Sequence, residues 1–399
     1  MKKLFFSFFC ILLLPSAYAF SQGVWTQKAN FGGGPVYVAV AFSIGTKGYI
    51  GTGTDGIAPW ASLWEYNSLN DTWTQKAFIP YDRVSAAGFA IGTKGYIGTG
   101  WDNYNKKDFW EWDQATNSWT QKANFPSTAR TAAVGFSIGT KGYIGTGNDS
   151  LGNKQDFWEW NQATNIWSQK ASFPGVARQR AVGFSIGTKG YIGTGNDNNI
   201  CYNDFWEWDQ VTNTWTQKAS INGVRSAAVG FSIGNKGYIG TGSSTININP
   251  SSDFWEWNQT TNTWNQVANF GGGVRIWGVG ICIGTKGYVG TGSGISPIDD
   301  WWELDAFGVG INEEPQTPLQ THIYPNPFTT SATLQIENAN SKEQNMEFVL
   351  YNIEGKQVRL TTINEQLSTI ERGNLTSGVY LYQILSQKEV ISSGKLIIE

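Results

Sequence analysis

The sequence predicts an all-β protein, a six-bladed β-propeller followed by a small C-terminal antiparallel β-sandwich. Three observations predict this fold. A unit of about 47 residues recurs six times. Glycine (48) and tryptophan (20) are abundant while only 15% of the residues are charged, which is typical of short strands joined by tight turns. After residue 306 the repeat ends and the composition changes.

The N-terminus is typical of an export signal. Lys2 and Lys3 precede an apolar stretch from Leu4 to Leu14, and the sequence AYA ends at Ala19. We therefore predict a signal peptide over residues 1–19, cleaved after Ala19. The apolar stretch is too short for a membrane anchor, and no later stretch has the length of a membrane span. We expect no transmembrane segment.

Charge and cysteine content exclude two classes of protein. The net charge is −3 and no long basic run occurs, so we expect no nucleic-acid partner. Cys201 and Cys282 stand at non-equivalent positions of the repeat, which argues against a repeated disulfide framework. Stability must therefore come from packing.

The segment KGYIGTG, or a close variant, marks each unit. It begins at Lys47, Lys94, Lys141, Lys189, Lys236 and Lys286. Alternation with period 2 predicts four strands per unit, which we call a to d. In the third unit they cover residues 132–138, 142–147, 156–161 and 166–171. Four antiparallel strands in a unit of this length match a propeller blade, and the lack of a helical segment disfavours a solenoid.

Two sets of tryptophans count the blades and predict how the ring closes. The strand c set is Trp64, Trp110, Trp158, Trp206, Trp255 and Trp302, and the strand d set is Trp25, Trp73, Trp119, Trp167, Trp215 and Trp264. Trp25 precedes the first strand a, and no strand d follows Trp302. The N-terminal strand is therefore expected to pair beside Trp302, closing a propeller over residues 22–306 and removing an exposed edge.

The propeller units resemble the kelch-repeat, galactose oxidase-like family. The resemblance is carried by the glycine-ended strand b (Tyr143 to Gly147), the spaced aromatic residues of strands c and d, and an arginine before strand a. One departure is the ending GTG, where kelch units usually have two adjacent glycines. Some family members hold copper with histidines and tyrosines. The only histidine here, His322, lies outside the propeller, which argues against copper oxidase chemistry and against Ser-His or Cys-His nucleophiles.

The C-terminal part consists of a predicted linker, residues 307–320, and alternating strands over residues 321–399 that predict the sandwich. It contains YPNPF ending at Phe328, LYNIEGKQV ending at Val358 and SGVYLYQI ending at Ile384. These motifs resemble the C-terminal sorting domain of the type IX secretion system of Bacteroidetes. An ordinary carbohydrate-binding or immunoglobulin-like sandwich is the alternative.

The resemblance to the sorting domain implies a partner and a location. The partner is the type IX secretion machinery, engaged through residues 321–399. The location is the medium or the outer-membrane surface, after export across the inner membrane by the signal peptide and cleavage of the sorting domain.

The variable loops predict where a ligand binds. The a–b and c–d turns are nearly identical in every unit, whereas the b–c loops differ. Strand alternation places the b–c and d–a connections on one face of the propeller. Because variable loops on a rigid scaffold commonly bind ligands, we expect the binding site on this face.

An arginine before strand a recurs in five units, and Val36 replaces it in the first. The five are Arg83, Arg130, Arg178, Arg225 and Arg275. Since strands a line the axis, one interpretation is that these guanidinium groups converge on the central opening, where they suit a carboxylate, sialic-acid-like or sulfated ligand. The other, which we favour, is structural pairing of each arginine with backbone carbonyls or a loop acid.

Loop residues supply further candidates. Four aspartates recur two residues after GTG and are the expected arginine partners or, less favoured, calcium ligands: Asp55, Asp102, Asp149 and Asp197. Four loop aromatic residues are candidates for stacking on sugar rings, with packing on their own turns as the alternative: Trp60, Trp101, Tyr104 and Tyr202.

These observations favour a non-catalytic, exported binding module for glycan or protein ligands. The strand c acids recur with the repeat and therefore suggest architecture, so no catalytic residue, metal or cofactor is predicted. The alternative is an enzyme that acts on an acidic sugar, sialate mutarotase-like or a glycosidase, through the arginine ring. A surface adhesion scaffold without a defined small ligand is the third possibility.

Overall fold

A computed structural model of the chain describes residues 23–246, 249–306, 320–337, 346–352, 356–363, 367–386 and 389–399. Among these residues the regular secondary structure is entirely β. The predicted signal peptide, and residues 307–319 of the predicted linker, lie outside the described residues. The chain divides into two compact units, Met1–Gly310 and Ile311–Glu399.

The first unit consists of six four-stranded antiparallel sheets, the blades of a propeller. A strand β1 (Val24–Lys28) comes before the first complete blade. Blade 1 contains β2 (Val40–Ile44), β3 (Lys47–Gly51), β4 (Leu63–Asn67) and β5 (Thr72–Lys76). Blade 2 contains β6 (Ala87–Ile91), β7 (Lys94–Gly98), β10 (Phe109–Asp113) and β11 (Ser118–Lys122), with a short hairpin of β8 (Trp101–Asp102) and β9 (Tyr104–Asn105) in its b–c loop.

The next two blades repeat this arrangement. Blade 3 contains β12 (Val134–Ile138), β13 (Lys141–Gly145), β16 (Phe157–Asn161) and β17 (Ile166–Lys170), with the hairpin β14 (Asn148–Asp149) and β15 (Gly152–Asn153) between its strands b and c. Blade 4 contains β18 (Val182–Ile186), β19 (Lys189–Gly193), β20 (Phe205–Asp209) and β21 (Thr214–Lys218).

Blade 5 contains β22 (Val229–Ile233), β23 (Lys236–Gly240), β24 (Phe254–Asn258) and β25 (Thr263–Val267). Blade 6 contains β26 (Val279–Ile283), β27 (Lys286–Gly290) and β28 (Trp301–Asp305), and its fourth strand is β1.

The N-terminal strand closes the ring, as the tryptophan count predicts. β1 pairs antiparallel with β28, Trp25 opposite Leu304 and Gln27 opposite Trp302. Blade 6 is thus built from both ends of the propeller sequence. This closure leaves no unpaired edge on β28 and ties the first and last blades together without a disulfide.

The hydrophobic core lies between neighbouring blades. Each inter-blade cluster combines aliphatic and aromatic residues of one blade with a strand c aromatic residue of the next, as when Phe136 and Phe157 of blade 3 pack with Trp208 of blade 4. The strand d tryptophans also link blades: Trp167 Nε1 donates to the Ala123 carbonyl oxygen of the preceding blade at 2.8 Å. Equivalent bonds of 2.8–3.1 Å occur for the other five strand d tryptophans.

The innermost strands surround a narrow central opening lined by small, uncharged residues. Glycine permits their close approach: a Cβ on Gly88 would lie 2.2 Å from Val40 Cγ1 of the neighbouring blade. Two layers of residues line the opening: Ala41, Gly88, Gly135, Gly183, Gly230 and Gly280, then Ser43, Ala90, Ser137, Ser185, Ser232 and Cys282.

One end of the opening is encircled by a closed ring of backbone hydrogen bonds. In every blade, the residue two before strand a donates its N–H to the carbonyl of its counterpart in the preceding blade at 2.9–3.1 Å. All six residues have φ between 50° and 57°, a region that non-glycine residues rarely adopt. We call them the axial ring: Val38, Ser85, Ala132, Arg180, Ala227 and Trp277.

The second unit is a two-sheet sandwich. A three-stranded sheet contains β29 (Gln320–Tyr324), β30 (Ser331–Glu337) and β33 (Leu367–Glu371). A four-stranded sheet contains β31 (Met346–Tyr351), β32 (Gln357–Ile363), β34 (Gly378–Ser386) and β35 (Glu389–Ile398). Residues from both sheets, such as Leu334 and Leu350, share one buried core. The described part of the chain has no helix with the length and hydropathy of a membrane span.

Candidate functional site

The face predicted to bind ligands is formed by the b–c loops and by the segments that lead into strands a. Each leading segment forms a bridge to the first residue of its own blade's b–c loop, as in Gln179 with Asn196 and Ser226 with Ser243. It also bonds to the preceding blade, because the N–H of Gly147 donates to the Arg178 carbonyl at 2.8 Å. Backbone bonds across two blades therefore hold each leading segment.

The repeated arginines do not converge on the central opening, which corrects the interpretation that they bind a ligand there and agrees with structural pairing. All five are buried, with exposures of 0–4%. Each makes a two-pronged ion pair with the aspartate immediately before strand c of its own blade, with N–O distances of 2.5–3.1 Å. The pairs are Arg83–Asp108, Arg130–Asp156, Arg178–Asp204, Arg225–Asp253 and Arg275–Asp300.

Further contacts complete each arginine site. One terminal nitrogen also donates to the threonine carbonyl of GTG, as Arg178 Nη1 does to Thr194 at 2.8 Å. Arg130 and Arg178 additionally lie 4.8 Å from the ring centroids of Phe125 and Phe173. With these partners inside the blade, the five arginines stabilise the leading segments, and their burial keeps the guanidinium groups away from a ligand on the face.

Asp108 and Asp156 in these pairs have a pKa below the usual range of an aspartate. Burial by itself would raise the pKa of Asp108, but the hydrogen bonds and charge of Arg83 outweigh it and keep that pKa below its usual range. For Asp156, burial is likewise outweighed by hydrogen bonds from Arg130 and Ser127, which lower its pKa. Each pair is therefore a compensated buried ion pair.

Blade 1 shows what happens when the arginine is replaced. Val36 stands in the arginine position and is fully buried, and Ser62 stands where the other blades have the strand c aspartate. Both partners of the ion pair are thus exchanged together. This is the physical expectation, because either charge alone would be buried without compensation.

The four loop aspartates serve their own turns and do not pair with the repeated arginines, which corrects the expected partners. Asp55 Oδ1 accepts from the Ile57 N–H at 2.8 Å, and Asp102 pairs with Lys106 at 3.4 Å. Asp149 pairs with Lys154 at 2.8 Å, and Asp197 accepts from the Tyr202 hydroxyl at 2.7 Å. Within the described residues, no three His, Cys, Asp or Glu side chains form a group suited to a metal ion.

The four candidate aromatic residues are not brought together. Trp60 packs against the core cluster of blades 1 and 6. Tyr202 lies under Arg178, 4.3 Å from its guanidinium carbon, and burial together with the Asp197 hydrogen bond raises its pKa to about 12. Trp101 and Tyr104 are 40% and 65% exposed. They stand on adjacent strands of one hairpin, in which Trp101 is opposite Asn105 and Tyr104 is opposite Asp102. Because side chains alternate along a strand, Trp101 and Tyr104 point to opposite sides of the hairpin.

The structure instead assembles a cleft of about 230 Å³ beside the axial ring, between blades 4, 5 and 6. We call it the axial cleft, lined chiefly by Gln179, Arg180, Asn196, Asn198, Ser226 and Trp277. Its two large residues belong to the axial ring and stand on either side of Ala227. The Arg180 guanidinium carbon lies 5.5 Å from the centroid of Trp277, which stacks on Tyr37 at 5.5 Å.

Sequence reasoning missed Arg180 and Trp277, although a signal for them exists. When the repeats are aligned on GTG, the axial ring position holds small or medium residues in four blades: Val38, Ser85, Ala132 and Ala227. Arg180 and Trp277 depart from that pattern. Residues that break a repeat are not explained by the architecture, so such departures are where a function specific to this chain is expected.

The recurring strand c acids give little support for an enzyme that uses a pair of carboxylates for hydrolysis. Glu159 accepts a hydrogen bond from Tyr143 at 2.8 Å and pairs with Lys170 at 3.2 Å, and the other strand c glutamates make the same bond to the tyrosine of strand b. For Tyr143, burial and the nearby carboxylate raise the pKa well above its usual range. These groups form a structural network between strands b and c.

Comparisons with known proteins identify the C-terminal unit and the fold. Residues 322–399 match the secretion system C-terminal sorting domain family. No curated protein sequence matches the chain. A solved structure titled "Structure of YjhT" is similar in fold, with 15% sequence identity, a TM-score of 0.61, and coverage of 69% of this chain and 95% of that chain. The chain is thus an exported β-propeller protein that type IX secretion directs to the cell surface or the medium.

Proposed function

We propose that this chain is an exported, kelch-type propeller that binds a glycan, without catalysis, at the face formed by the b–c loops and the leading segments. Residues 1–19 act as its signal peptide in this proposal, and the sorting domain engages the type IX machinery. The observation that carries the proposal is the axial cleft, the place on this face where two large residues depart from an otherwise satisfied repeat.

The surroundings of the cleft support a binding role. Repeated groups of the blades are engaged with one another: the arginines with aspartates, the tyrosines with glutamates, and the strand d tryptophans with carbonyls. The cleft is lined instead by amide and hydroxyl side chains, of which Asn198 is exposed and Asn196 and Ser226 are buried. Rigid walls with a few polar groups are typical of small-ligand sites.

The size of the cleft favours a glycan over a protein. A volume of about 230 Å³ is below the range of about 300–1,000 Å³ usual for drug-sized ligands, so it suits one terminal sugar residue of a longer chain. A protein partner would need a much larger contact area, of roughly 800 Å² per partner.

A glycan array probed with the chain from residue 20 onward tests the proposal. We expect binding to a subset of glycans, abolished by the double substitution Arg180→Ala with Trp277→Ala. The matched control is Thr140→Ala, in the exposed a–b turn on the opposite face, and it should bind like the parent. Binding to no glycan, or equal loss in both variants, would contradict the proposal. Retention of proteins alone in a pull-down would favour a protein ligand.

An enzyme acting on an acidic sugar is the second candidate, favoured by the single observation that Arg180 is a cation in the cleft with no acid partner in the described part of the chain. The repeated arginines that motivated this candidate are engaged in ion pairs, and the described residues of the cleft lining include no carboxylate for acid–base work. Mutarotation of sialate and glycosidase turnover should therefore equal the uncatalysed background. Turnover that disappears in Arg180→Ala would establish the enzyme instead.

A further inference from the structure

Arg180 is electrostatically unlike every other arginine of the propeller. Arg83, Arg130, Arg178, Arg225 and Arg275 all have an aspartate partner. Within the described residues, the Arg180 guanidinium makes no ion pair and no side-chain hydrogen bond. The surrounding protein desolvates it enough to lower its pKa, although part of its surface stays exposed on the face. An unmatched, partly desolvated cation attracts an anion.

The aromatic wall positions this cation and keeps its hydrogen-bond donors available. The guanidinium carbon lies over Trp277, and Trp277 is itself backed by Tyr37. A cation over an aromatic face is stabilised without using its N–H groups, which lie in the guanidinium plane. Ala227, between the two large residues in the axial ring, is small enough to let them meet.

The rest of the cleft is polar but uncharged. The side-chain nitrogens of Asn196 and Asn198 donate to no described residue, and the Gln179 amide bonds to Asn198. The closest loop acid along the chain, Asp197, is occupied by the Tyr202 hydroxyl and by the backbone N–H groups of Asn199 and Ile200. Among the residues that the structure describes, no carboxylate lines the cleft to repel an anion.

We propose that the axial cleft binds an acidic saccharide residue, with its carboxylate or sulfate on Arg180 and its hydroxyl groups on the amides of Gln179, Asn196 and Asn198. This inference rests on the proposed glycan-binding function and names its ligand class. One cation surrounded by neutral donors and acceptors matches one anionic group on a hydroxylated ring. Two chemical sources, a uronic acid and a sulfate ester, share this chemistry.

Isothermal titration calorimetry with three matched oligosaccharides tests the inference on the chain from residue 20 onward. The probes are a galacturonate trimer, a sulfated galactose trimer and the uncharged galactose trimer. We expect at least one charged trimer to bind more tightly than the uncharged one, with affinity falling as salt is raised. Arg180→Ala should weaken the charged trimer about ten- to a hundredfold and leave the uncharged trimer unchanged.

Matched variants separate this inference from a loss of folding. Arg180→Ala installs the residue that blades 3 and 5 carry at the same ring position with the same positive φ, so the variant should fold. Arg180→Lys keeps the charge but loses the guanidinium fork, and should bind with intermediate affinity. Trp277→Ala should also weaken the charged trimer, because Arg180 loses its support.

The outcomes distinguish the two proposals. One outcome is that the uncharged trimer, or neutral glycans of the array, bind as tightly as the charged trimers and that Arg180→Ala does not change the affinity. In that case the proposed acidic ligand class is wrong, and the proposed glycan-binding function stands. If no saccharide binds the parent in either experiment, both are wrong. A preference between the two charged trimers identifies the anionic group.

Discussion

Arg178 and Arg180 stand two residues apart on one leading segment, yet they lie in opposite environments. Arg178 recurs in the repeat, is fully buried and pairs with Asp204. Arg180 has no counterpart in the other blades, reaches the face and rests on Trp277. In this propeller the repeated charge stabilises the blade interior, and the unrepeated charge is available to a ligand.

Blade 1 extends the comparison, because it lacks the interior arginine. Val36 and Ser62 replace Arg and Asp there, while the backbone bonds of the leading segment persist: the N–H of Gly292 donates to the Val36 carbonyl at 2.7 Å. The fold therefore accepts an apolar substitute for the pair as long as both charges are removed. The ion pair is one solution to filling this site, and the backbone linkage between blades is common to all six.

The largest effect is expected from opening the ring. A chain that starts at residue 30 lacks β1, leaves the edge of β28 unpaired and loses the Trp25 contact with blade 5. Because truncating one large aromatic residue in a core costs about 3–5 kcal/mol, we expect a loss of more than about 5 kcal/mol of unfolding free energy. Urea denaturation against the chain from residue 20 measures it. An unchanged midpoint would show that blade 6 does not need its fourth strand.

An intermediate effect is expected from breaking one interior pair. Arg130→Val leaves Asp156 buried without its cation, which should cost about 3–5 kcal/mol. The double variant Arg130→Val with Asp156→Ser reproduces the pair of residues in blade 1, and should recover most of that loss. Denaturant midpoints of both single variants and the double variant form a complete cycle.

The sign of the coupling in that cycle decides the interpretation. If the double variant is as unstable as the sum of the two single variants, the pair is not a unit and blade 1 tolerates Val36 for another reason. If Arg130→Val costs nothing, the repeated arginines are not structural, and their role at the face has to be reconsidered.

The smallest effect is expected from the unrepeated residues. Arg180→Ala should change the unfolding free energy by less than about 0.5 kcal/mol, since the side chain is exposed and forms no ion pair with any described residue. Urea denaturation of Arg180→Ala and Arg130→Val side by side compares the unfolding free energy lost at a face arginine with that lost at an interior arginine. A loss of unfolding free energy comparable to that of Arg130→Val would mean that Arg180 stabilises the fold.

Much of the architecture is predictable from local pattern. The strand positions of the third unit agree with the structure within two residues at each end, and β1 pairs beside Trp302 as the tryptophan count predicts. Alternation and repetition suffice for this, because every blade uses the same buried positions. The placement of the repeated arginines was not predictable in the same way: their distance from the axis depends on the path of the leading segment, which has no regular period.

By itself, the sequence determined the number of blades, the way the ring closes, and the sorting domain at residues 322–399. These features depend on regular spacing and on contiguous motifs. Only the tertiary structure decided which arginine is available to a ligand. Arg178 meets Asp204 across 26 residues, and Arg180 meets Trp277, two blades further along the chain. The first meeting arises because the chain folds back within blade 4, and the second because the closed ring brings the leading segments of blades 4 and 6 close together around one axis.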